Sequence, residues 1–515
     1  MNLIDHLQAT ANDAYENEIT FFDGAVTTVT NLVALHQRAR AVAGGMQARG
    51  IGPGDVVAVQ MPNRFETAVA YQAVLLTGAT LLPVVHIYGP REVDFVLRES
   101  GARMLVMADS WRSIDYTARV PALSRPGLEI VIVGAPATGT TDWASLSGPG
   151  YRAPQTPASY VAVLSYTSGT TSAPKGAQHT AAGILAEVTS QAGMVGYAAD
   201  TVQLASFPFG HVAGLLSILR PMLLGTPTVV LDGWDPAVAI DRISRYGVTS
   251  TSGTPLHLAT LLDALEAGAP LTTMREYLVG AATVPAALIA RADALGIRAF
   301  RCYGSTEHPT ISSGTPHDAL AKRQFTDGRP TPGTTIRVVG PDGLDVATGV
   351  DGEVICRGPE TFIGYRDPSL DEDTWLIDPA GERWLRTGDI GNLDADGYLT
   401  ITDRAKDVII RAGETISSRE VEDVLLTCPG VADAAVIAVP DEYYGEKVGA
   451  VIVPTPGSSP TLESVRLHFA SSGLAKQKTP EYVELRSELP RTPIGKVRKA
   501  DLRDELRERL LAAAQ

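Results

Sequence analysis

The chain has 515 residues, 44% hydrophobic and 20% charged. That is enough apolar material for a large packed core over three to four domains at most, and it excludes wholesale disorder. With 43 basic against 58 acidic residues the net charge is −15, which argues against nucleic acid as the main partner. Cys302, Cys356 and Cys428 lie far apart without paired spacing, so neither a disulfide framework nor a cysteine zinc site is expected, and a reducing, cytoplasmic setting fits.

The acidic start, MNLIDHLQATANDAYENE, lacks the basic residues and apolar run of a signal peptide. The longest apolar stretch, Tyr71 to Val85, is interrupted by Thr77, Gly78, Thr80 and Pro83, and a spanning helix needs about 20 residues. Residues 30–50 repeat apolar positions at helical spacing and stop at Gly50; VVAVQM then reads as a buried strand. Glu66 to Gly78 is again helical, ATLLPVV extended, 91–100 helical and Met104 to Met107 extended. The alternation continues to about residue 300, with TPTVVL at 226–231 and a helix from Asp235. Strands and helices in this rhythm predict a mostly parallel sheet covered on both faces. After residue 325 the short segments 335–340, 352–358 and 397–404, separated by Gly/Asp turns, predict an antiparallel β unit. Helix 418–427, strands 434–439 and 448–453, helix 461–472 and a C-terminal helix predict a compact α+β piece. The fold class is therefore α/β with a small α+β C-terminal domain. The charged stretch Asp403-Arg404-Ala405-Lys406-Asp407 marks the boundary, giving domains 1–403 and 404–515.

Lysine is scarce, and the first is Lys175. It sits in Ser165-Tyr-Thr-Ser-Gly-Thr-Thr-Ser-Ala-Pro-Lys175-Gly176, directly after the strand from Val161 to Leu164. Such a loop offers an anion hydroxyl and backbone N–H donors beside a compact positive charge. It is not a Walker A loop, because Pro174 and Gly176 flank the lysine.

YTSGTTSAPKG resembles the phosphate loop of the adenylate-forming superfamily, which includes acyl- and aryl-CoA synthetases, nonribosomal peptide adenylation domains and firefly luciferase. Tyr303-Gly-Ser-Thr-Glu307 resembles its YGxTE element, Arg386-Thr-Gly-Asp389 its TGD element, and Asp403–Asp407 its GRxKD hinge. Gly413 to Glu422 is similar to the loop after the hinge, and Pro490 to Lys496 matches PRTxxGK. Six elements occur in order across most of the chain.

The resemblance implies a large α/β AMP-binding domain with a small mobile lid. Acyl-adenylate formation brings a carboxylate anion to a phosphate anion, so cations and oriented donors must neutralise both. The resemblance assigns Thr167, Ser168, Gly169, Thr170, Thr171 and Lys175 to the β- and γ-phosphates. Glu307, with Thr170, is assigned to Mg²⁺, and Thr306 to the α-phosphate. Asp389, helped by Arg404, is assigned to the ribose hydroxyls. Gly280, Ala281 and Ala282 would line the adenine and acyl sites, with Tyr303, followed by Gly304, stacking on adenine. Lys496 is implied as the catalytic lysine of adenylation and Lys406 as the hinge between two half-reactions. Gly413 would then stand at the thiol channel.

Phe207-Pro-Phe-Gly-His211-Val-Ala-Gly214 resembles the substrate-pocket element; acyl- and aryl-CoA ligases carry histidine at the position of His211, beside the carboxylate. Gly214, Ala213, Ala281 and Ala282 are small and leave room for a bulky body, and the sequence shows no pocket cation or aspartate that would demand a charged tail. Three residues depart from the family pattern: Ser172 and Asp403 where glycine is usual, and Ser418 where proline is common. The leading expectation is an ATP- and Mg²⁺-dependent ligase joining a hydrophobic acid (fatty, alicyclic, aromatic or steroid-derived) to coenzyme A, with a homodimer left open. The alternative is an adenylating enzyme that loads a carrier-protein thiol. A luciferase-like oxygenase and a non-catalytic binding protein rank lower, the latter because Lys175, Glu307, Asp389 and Lys496 are all present.

Overall fold

The computed structural model describes residues 2–13, 16–24, 26–167, 174–194, 200–270, 273–411, 414–441, 444–472, 474–492 and 495–513. They divide into two compact units. One comprises Met1–Thr167, Pro174–Thr335 and Arg357–Thr374; the other comprises Ile336–Cys356 and Trp375–Gln515.

The first unit is built on two sheets. In one, the parallel strands Thr80–Val84, Val56–Gln60, Met104–Ala108 and Glu129–Val133 lie side by side, with Val161–Tyr166 and Gly176–Thr180 extending one edge. Val56–Gln60 is buried at every position, as expected of a strand covered on both faces. The helix Phe65–Leu76 is buried continuously from Thr67 to Leu76, which is why the stretch around it reads as one long apolar run. The other sheet places the parallel strands Arg298–Tyr303, Glu276–Val279, Ser250–Gly253, Gln203–Ala205, Thr228–Leu231 and Glu18–Asp23 in that order. Its helices carry sequence-legible ends. Asp235 caps Pro236–Tyr246 by accepting the Val238 N–H, proline occupies the first turn, and Gly247 closes the helix at φ 63°.

The second unit holds the antiparallel strands Thr335–Val339, Gly352–Arg357, Arg383–Leu393, Trp375–Ile377 and Leu399–Arg404. It also holds the hairpin Val431–Asp441/Gly445–Pro454, flanked by Ile409–Arg411 and Tyr482–Leu485. Ile409, Val421, Leu425, Val436, Ile452 and Phe469 fill the core beside the hairpin. The antiparallel β unit clusters with the C-terminal residues, whereas the sequence reading groups it with residues 1–403. Among the described residues, no helix is long and apolar enough to cross a membrane.

Candidate active site

In the first unit, the phosphate-type loop is pinned where its ends enter the sheet. Val161–Tyr166 and Gly176–Thr180 pair antiparallel, with Tyr166 opposite Gly176. Beyond that pair the Thr167 N–H donates to the Lys175 carbonyl at 2.9 Å, and the Lys175 N–H donates to Thr167 Oγ1 at 3.2 Å. The backbone of Lys175 is thus fixed by the sheet. Ser168, Gly169, Thr170, Thr171 and Ser172 lie outside the described residues.

Glu307 is held by a residue that the sequence reading missed. The Tyr365 hydroxyl donates to Glu307 Oε1 at 2.6 Å, and the Phe362 N–H donates to the Glu307 carbonyl at 2.8 Å. Lys175 Nζ stands 5.1 Å from the centroid of the same Tyr365 ring, close enough for a cation–π contact. Tyr365 is buried, and burial, followed by the Glu307 charge, pushes its hydroxyl above the ordinary tyrosine range. It therefore stays a donor to the carboxylate. Its backbone is anchored by an isolated bridge to Ala177 and by the Asp371 carboxylate accepting its N–H at 3.0 Å. A tyrosine after a loop glycine carries no sequence signal for this role; only the fold brings it to Glu307.

The loop between Tyr303 and Glu307 turns tightly. Ser305 Oγ accepts the N–H groups of Glu307 and His308 at 3.2 and 3.3 Å. A Cβ at Gly304 would come within 2.0 Å of the Pro309 carbonyl oxygen, so glycine is required there. The Thr306 carbonyl lies 2.7 Å from His179 Nε2; His179 is buried, and burial pushes its pKa down to about 4, so it is neutral and donates. Tyr303 ends the strand Arg298–Tyr303 and is half-buried. Gly280 packs against Cys302 so closely that a Cβ would meet Sγ at 2.5 Å. Ala281 adopts φ 64°, a left-handed conformation that costs a non-glycine residue about 1–2 kcal/mol and tends to be kept where function needs it. Ala282 follows it, half-buried.

His211 is the N-cap of the helix Val212–Leu224, its Nδ1 accepting the Ala213 N–H at 3.3 Å. Gly214 corrects the expectation that it leaves room for substrate. A Cβ there would meet the Pro208 carbonyl oxygen at 1.9 Å, so this glycine lets the helix pack on the backbone of the preceding turn. The same helix contains a buried cation, Arg220, 4% exposed, which the sequence reading overlooked. A charged residue inside VAGLLSILRPMLL was the available signal.

The second unit carries the remaining predicted residues. Asp389 lies on the strand Arg383–Leu393 opposite Arg404 on Leu399–Arg404. Arg404 Nε is 3.1 Å from Asp389 Oδ1, and the Asp389 N–H donates to Thr387 Oγ1 at 3.1 Å. Lys496 is half-buried beside a tight turn; its N–H donates to Thr492 Oγ1 at 3.1 Å, and the Thr492 N–H donates to its carbonyl at 2.7 Å. Gly413 lies outside the described residues.

Lys406 is exposed between two tethered carboxylates. Asp407 pairs with Arg503 at 2.6 Å. Asp403 is buried and accepts the Ser418 N–H at 2.5 Å and the Ser418 hydroxyl at 3.0 Å. Two departures from the family pattern are thus one structural unit: the aspartate needs an N–H that proline would not supply. Lys499 extends it, donating to Ser418 Oγ at 2.8 Å and pairing with Glu422 at 2.7 Å.

Among the described residues no three His, Cys, Asp or Glu side chains gather as a metal centre. The donor set nevertheless fits Mg²⁺, which uses one or two carboxylates together with substrate phosphates, not an all-protein cage. Tyr365 fixes one oxygen of the Glu307 carboxylate, and the other remains to face a cation.

A family model for the AMP-binding enzyme matches residues 11–366, and one for the AMP-binding enzyme C-terminal domain matches residues 420–496. A medium-chain fatty-acid–CoA ligase of Escherichia coli (strain K12) is 33% identical over 99% of this chain and 91% of its own. A salicyl-AMP ligase/salicyl-S-ArCP synthetase of Mycobacterium tuberculosis (strain ATCC 25618 / H37Rv) is 34% identical over 90% of this chain and 83% of its own. The o-succinylbenzoate coenzyme A synthetase of Bacillus subtilis, solved with ATP and a magnesium ion, aligns with a TM-score of 0.82 and 26% identity, covering 98% of this chain and 99% of that one. On the matched length and the shared fold, the chain belongs to the AMP-binding enzyme family, the adenylate-forming superfamily in its acyl- and aryl-CoA synthetase branch, and is an AMP-forming acid–thiol ligase.

Proposed function

We propose that the protein joins a carboxylic acid with a large, mainly apolar body to coenzyme A through an acyl-adenylate, in the cytoplasm. A carboxylate oxygen attacks the α-phosphorus of ATP and pyrophosphate leaves. The CoA sulfur then attacks the acyl carbon, AMP leaves, and the thiol proton passes to solvent. The observation that carries this reading is the arrangement of Lys175, Tyr365 and Glu307, a cation and an oriented carboxylate flanking one buried ring. Lys175, with Thr167 and the loop residues Ser168 to Thr171, binds the β- and γ-phosphates, while Thr306 meets the α-phosphate. Glu307, with Thr170, holds Mg²⁺, which when bound neutralises phosphate oxygens. Asp389 accepts the ribose hydroxyls with Arg404 beside it, and Tyr303 stacks on adenine next to Gly280, Ala281 and Ala282. His211 stands at the reacting carboxylate.

Lys496 neutralises charge at the α-phosphate in the first half-reaction only. The functional boundary falls at 403/404, with Lys406 as the pivot that exchanges Lys496 for the thiol channel at Gly413. Coenzyme A as acceptor is supported by likeness to the fatty-acid–CoA ligase along nearly the whole chain. Loading of a carrier-protein thiol is the second reading, favoured by likeness to the salicyl-S-ArCP synthetase. The test is a panel of carboxylic acids assayed for acid-dependent pyrophosphate release, followed by CoA-dependent AMP release from the product. Pyrophosphate release without any CoA-dependent second step would favour the carrier-protein reading, and absence of the first step with every acid would overturn both.

A further inference from the structure

The helix that begins at His211 is buried from Gly214 through Leu223, and Arg220 stands inside that run. Its Nε is sealed from water and has no acceptor. No acidic side chain among the described residues forms an ion pair with it. A buried lysine could shed its proton; arginine cannot, so the fold keeps a permanent charge with no ion-pair partner among the described residues. Such an arrangement is costly unless an anion arrives to complete it.

Helical spacing puts Arg220 on one face with Ala213 and Ser217, at i+7 and i+3. It lies nine residues beyond His211, roughly 13 Å along the axis, and arginine leans back toward the helix start. Its charge is felt at the end of the strand Arg298–Tyr303. The Cys302 thiol there, pushed up to about 12 mainly by desolvation, is raised further by Glu187 and Asp327 and drawn back by the Arg220 charge. Glu187, whose carboxyl is pushed up by burial and then by Glu360, accepts a hydrogen bond from Thr310 at 2.6 Å and forms no ion pair with Arg220 among the described residues.

We propose that Arg220 is a specificity-determining residue that receives a second carboxylate at the far end of the substrate, so that the preferred acid is a dicarboxylate with an apolar spacer. This rests on the reading that the helix starting at His211 lines the acid site. The separation from His211, less the backward reach of the side chain, sets roughly 8–12 Å between the two carboxyl carbons. At about 1.2 Å per bond of extended chain, that is a diacid of about eight to ten carbons.

The test compares suberate and sebacate with the monoacids octanoate and decanoate, on the full chain with ATP and Mg²⁺, in the native protein and in Arg220→Met and Arg220→Lys. Pyrophosphate release should favour the diacids in the native protein. Arg220→Met should lose on the order of 10²-fold in kcat/KM on diacids, through KM, while monoacids hold or improve. Arg220→Lys should keep part of the preference. A second readout needs no turnover: sebacate, and not decanoate, should raise the Tm of the native protein, and that rise should vanish in Arg220→Met. Should Arg220→Met fail to fold, the lysine variant and the native Tm comparison still decide. Monoacids preferred by the native protein, no diacid-specific rise in Tm, or equal losses on both acid types would overturn the proposal. Turnover of monoacids alone would leave the acid–CoA ligase reading standing, whereas no pyrophosphate from any acid would remove that reading too.

Discussion

The pairing of Asp403 with Ser418 can be tested by restoring the residues usual in the family, singly and together. In Ser418→Pro the carboxylate of Asp403 loses the N–H at 2.5 Å and the hydroxyl at 3.0 Å, keeping the Arg404 N–H at 2.7 Å. The proline itself is well placed. Ser418 is the first residue of the helix Ser418–Leu425, where proline is favoured, and Ser417 before it is extended at φ −70°, ψ 121°. The cost therefore comes from the stranded carboxylate. Hydrogen bonds to a charged group contribute about 1.5–3 kcal/mol each, so Ser418→Pro should destabilise the protein by about 3 kcal/mol or more. Lys499 loses its contact with Ser418 but retains Glu422. In Asp403→Gly/Ser418→Pro there is no carboxylate left unpaired, and much of the loss should return. Urea unfolding followed by tryptophan fluorescence, with Trp375 and Trp384 in the same unit, gives the cycle. The expected coupling is about 2 kcal/mol, well above the ~0.5 kcal/mol scatter of independent sites. Additive single-mutant effects within that scatter would refute the argument that these two departures compensate each other.

Lys496→Ala should slow acyl-adenylate formation by on the order of 10²–10³ while leaving thioester formation from supplied acyl-AMP nearly intact; equal losses in both half-reactions would remove its assigned role. Tyr365→Phe keeps the ring that Lys175 approaches and deletes only the donor to Glu307. The Mg²⁺ concentration for half-maximal rate should rise roughly 10- to 150-fold, the scale of one charge-assisted hydrogen bond, with Tm little changed; an unchanged Mg²⁺ dependence would show that Tyr365 does not orient the carboxylate. Burial pushes His36, His86 and His179 down to about 4 from an ordinary 6.5, with Arg40 adding at His36 and Arg112 at His86. Between those values the unfolded chain binds protons that the folded one does not, so stability present above pH 6.5 is lost as pH falls, by up to roughly 3 kcal/mol per histidine. Tm should hold from pH 8 to 7 and drop steeply between 6 and 5; a flat Tm through that range would contradict neutral burial of these rings.

Periodicity made the parallel sheets legible because covered strands such as Val56–Gln60 and capped helices such as Pro236–Tyr246 obey local rules. The motif resemblance singled out Lys175, Glu307, Asp389 and Lys496 as candidates, because their neighbours in sequence carry the pattern. The partners escaped because they come from distant segments. Tyr365 reaches Glu307 across 58 positions, and the hydroxyl of Ser418 reaches Asp403 across 15. Gly214 was misread because its smallness answers to the Pro208 carbonyl, which only the turn brings against it.

The least legible feature is the polar interior behind the YGSTE loop. Glu187 and Glu360 are both buried, and burial raises both carboxyls, with the Glu360 charge raising Glu187 further. Two ionised carboxylates could not stay together there, but one shared proton lets them hydrogen-bond. Ser190 donates to Glu360, and Thr310 donates to Glu187 at 2.6 Å. The ring of His308, next to Glu307, lies 3.0 Å from Thr361 Oγ1, 3.3 Å from Thr334 Oγ1 and 3.5 Å from Glu360. These groups come from the helix Ala181–Met194, the turn holding Glu307 and the loop leading to Tyr365. Apolar packing tolerates sliding, whereas directional hydrogen bonds in a low-dielectric interior do not. The short Tyr365–Glu307 contact therefore rests on a network in which each segment supplies a donor or acceptor that the others cannot leave unpaired.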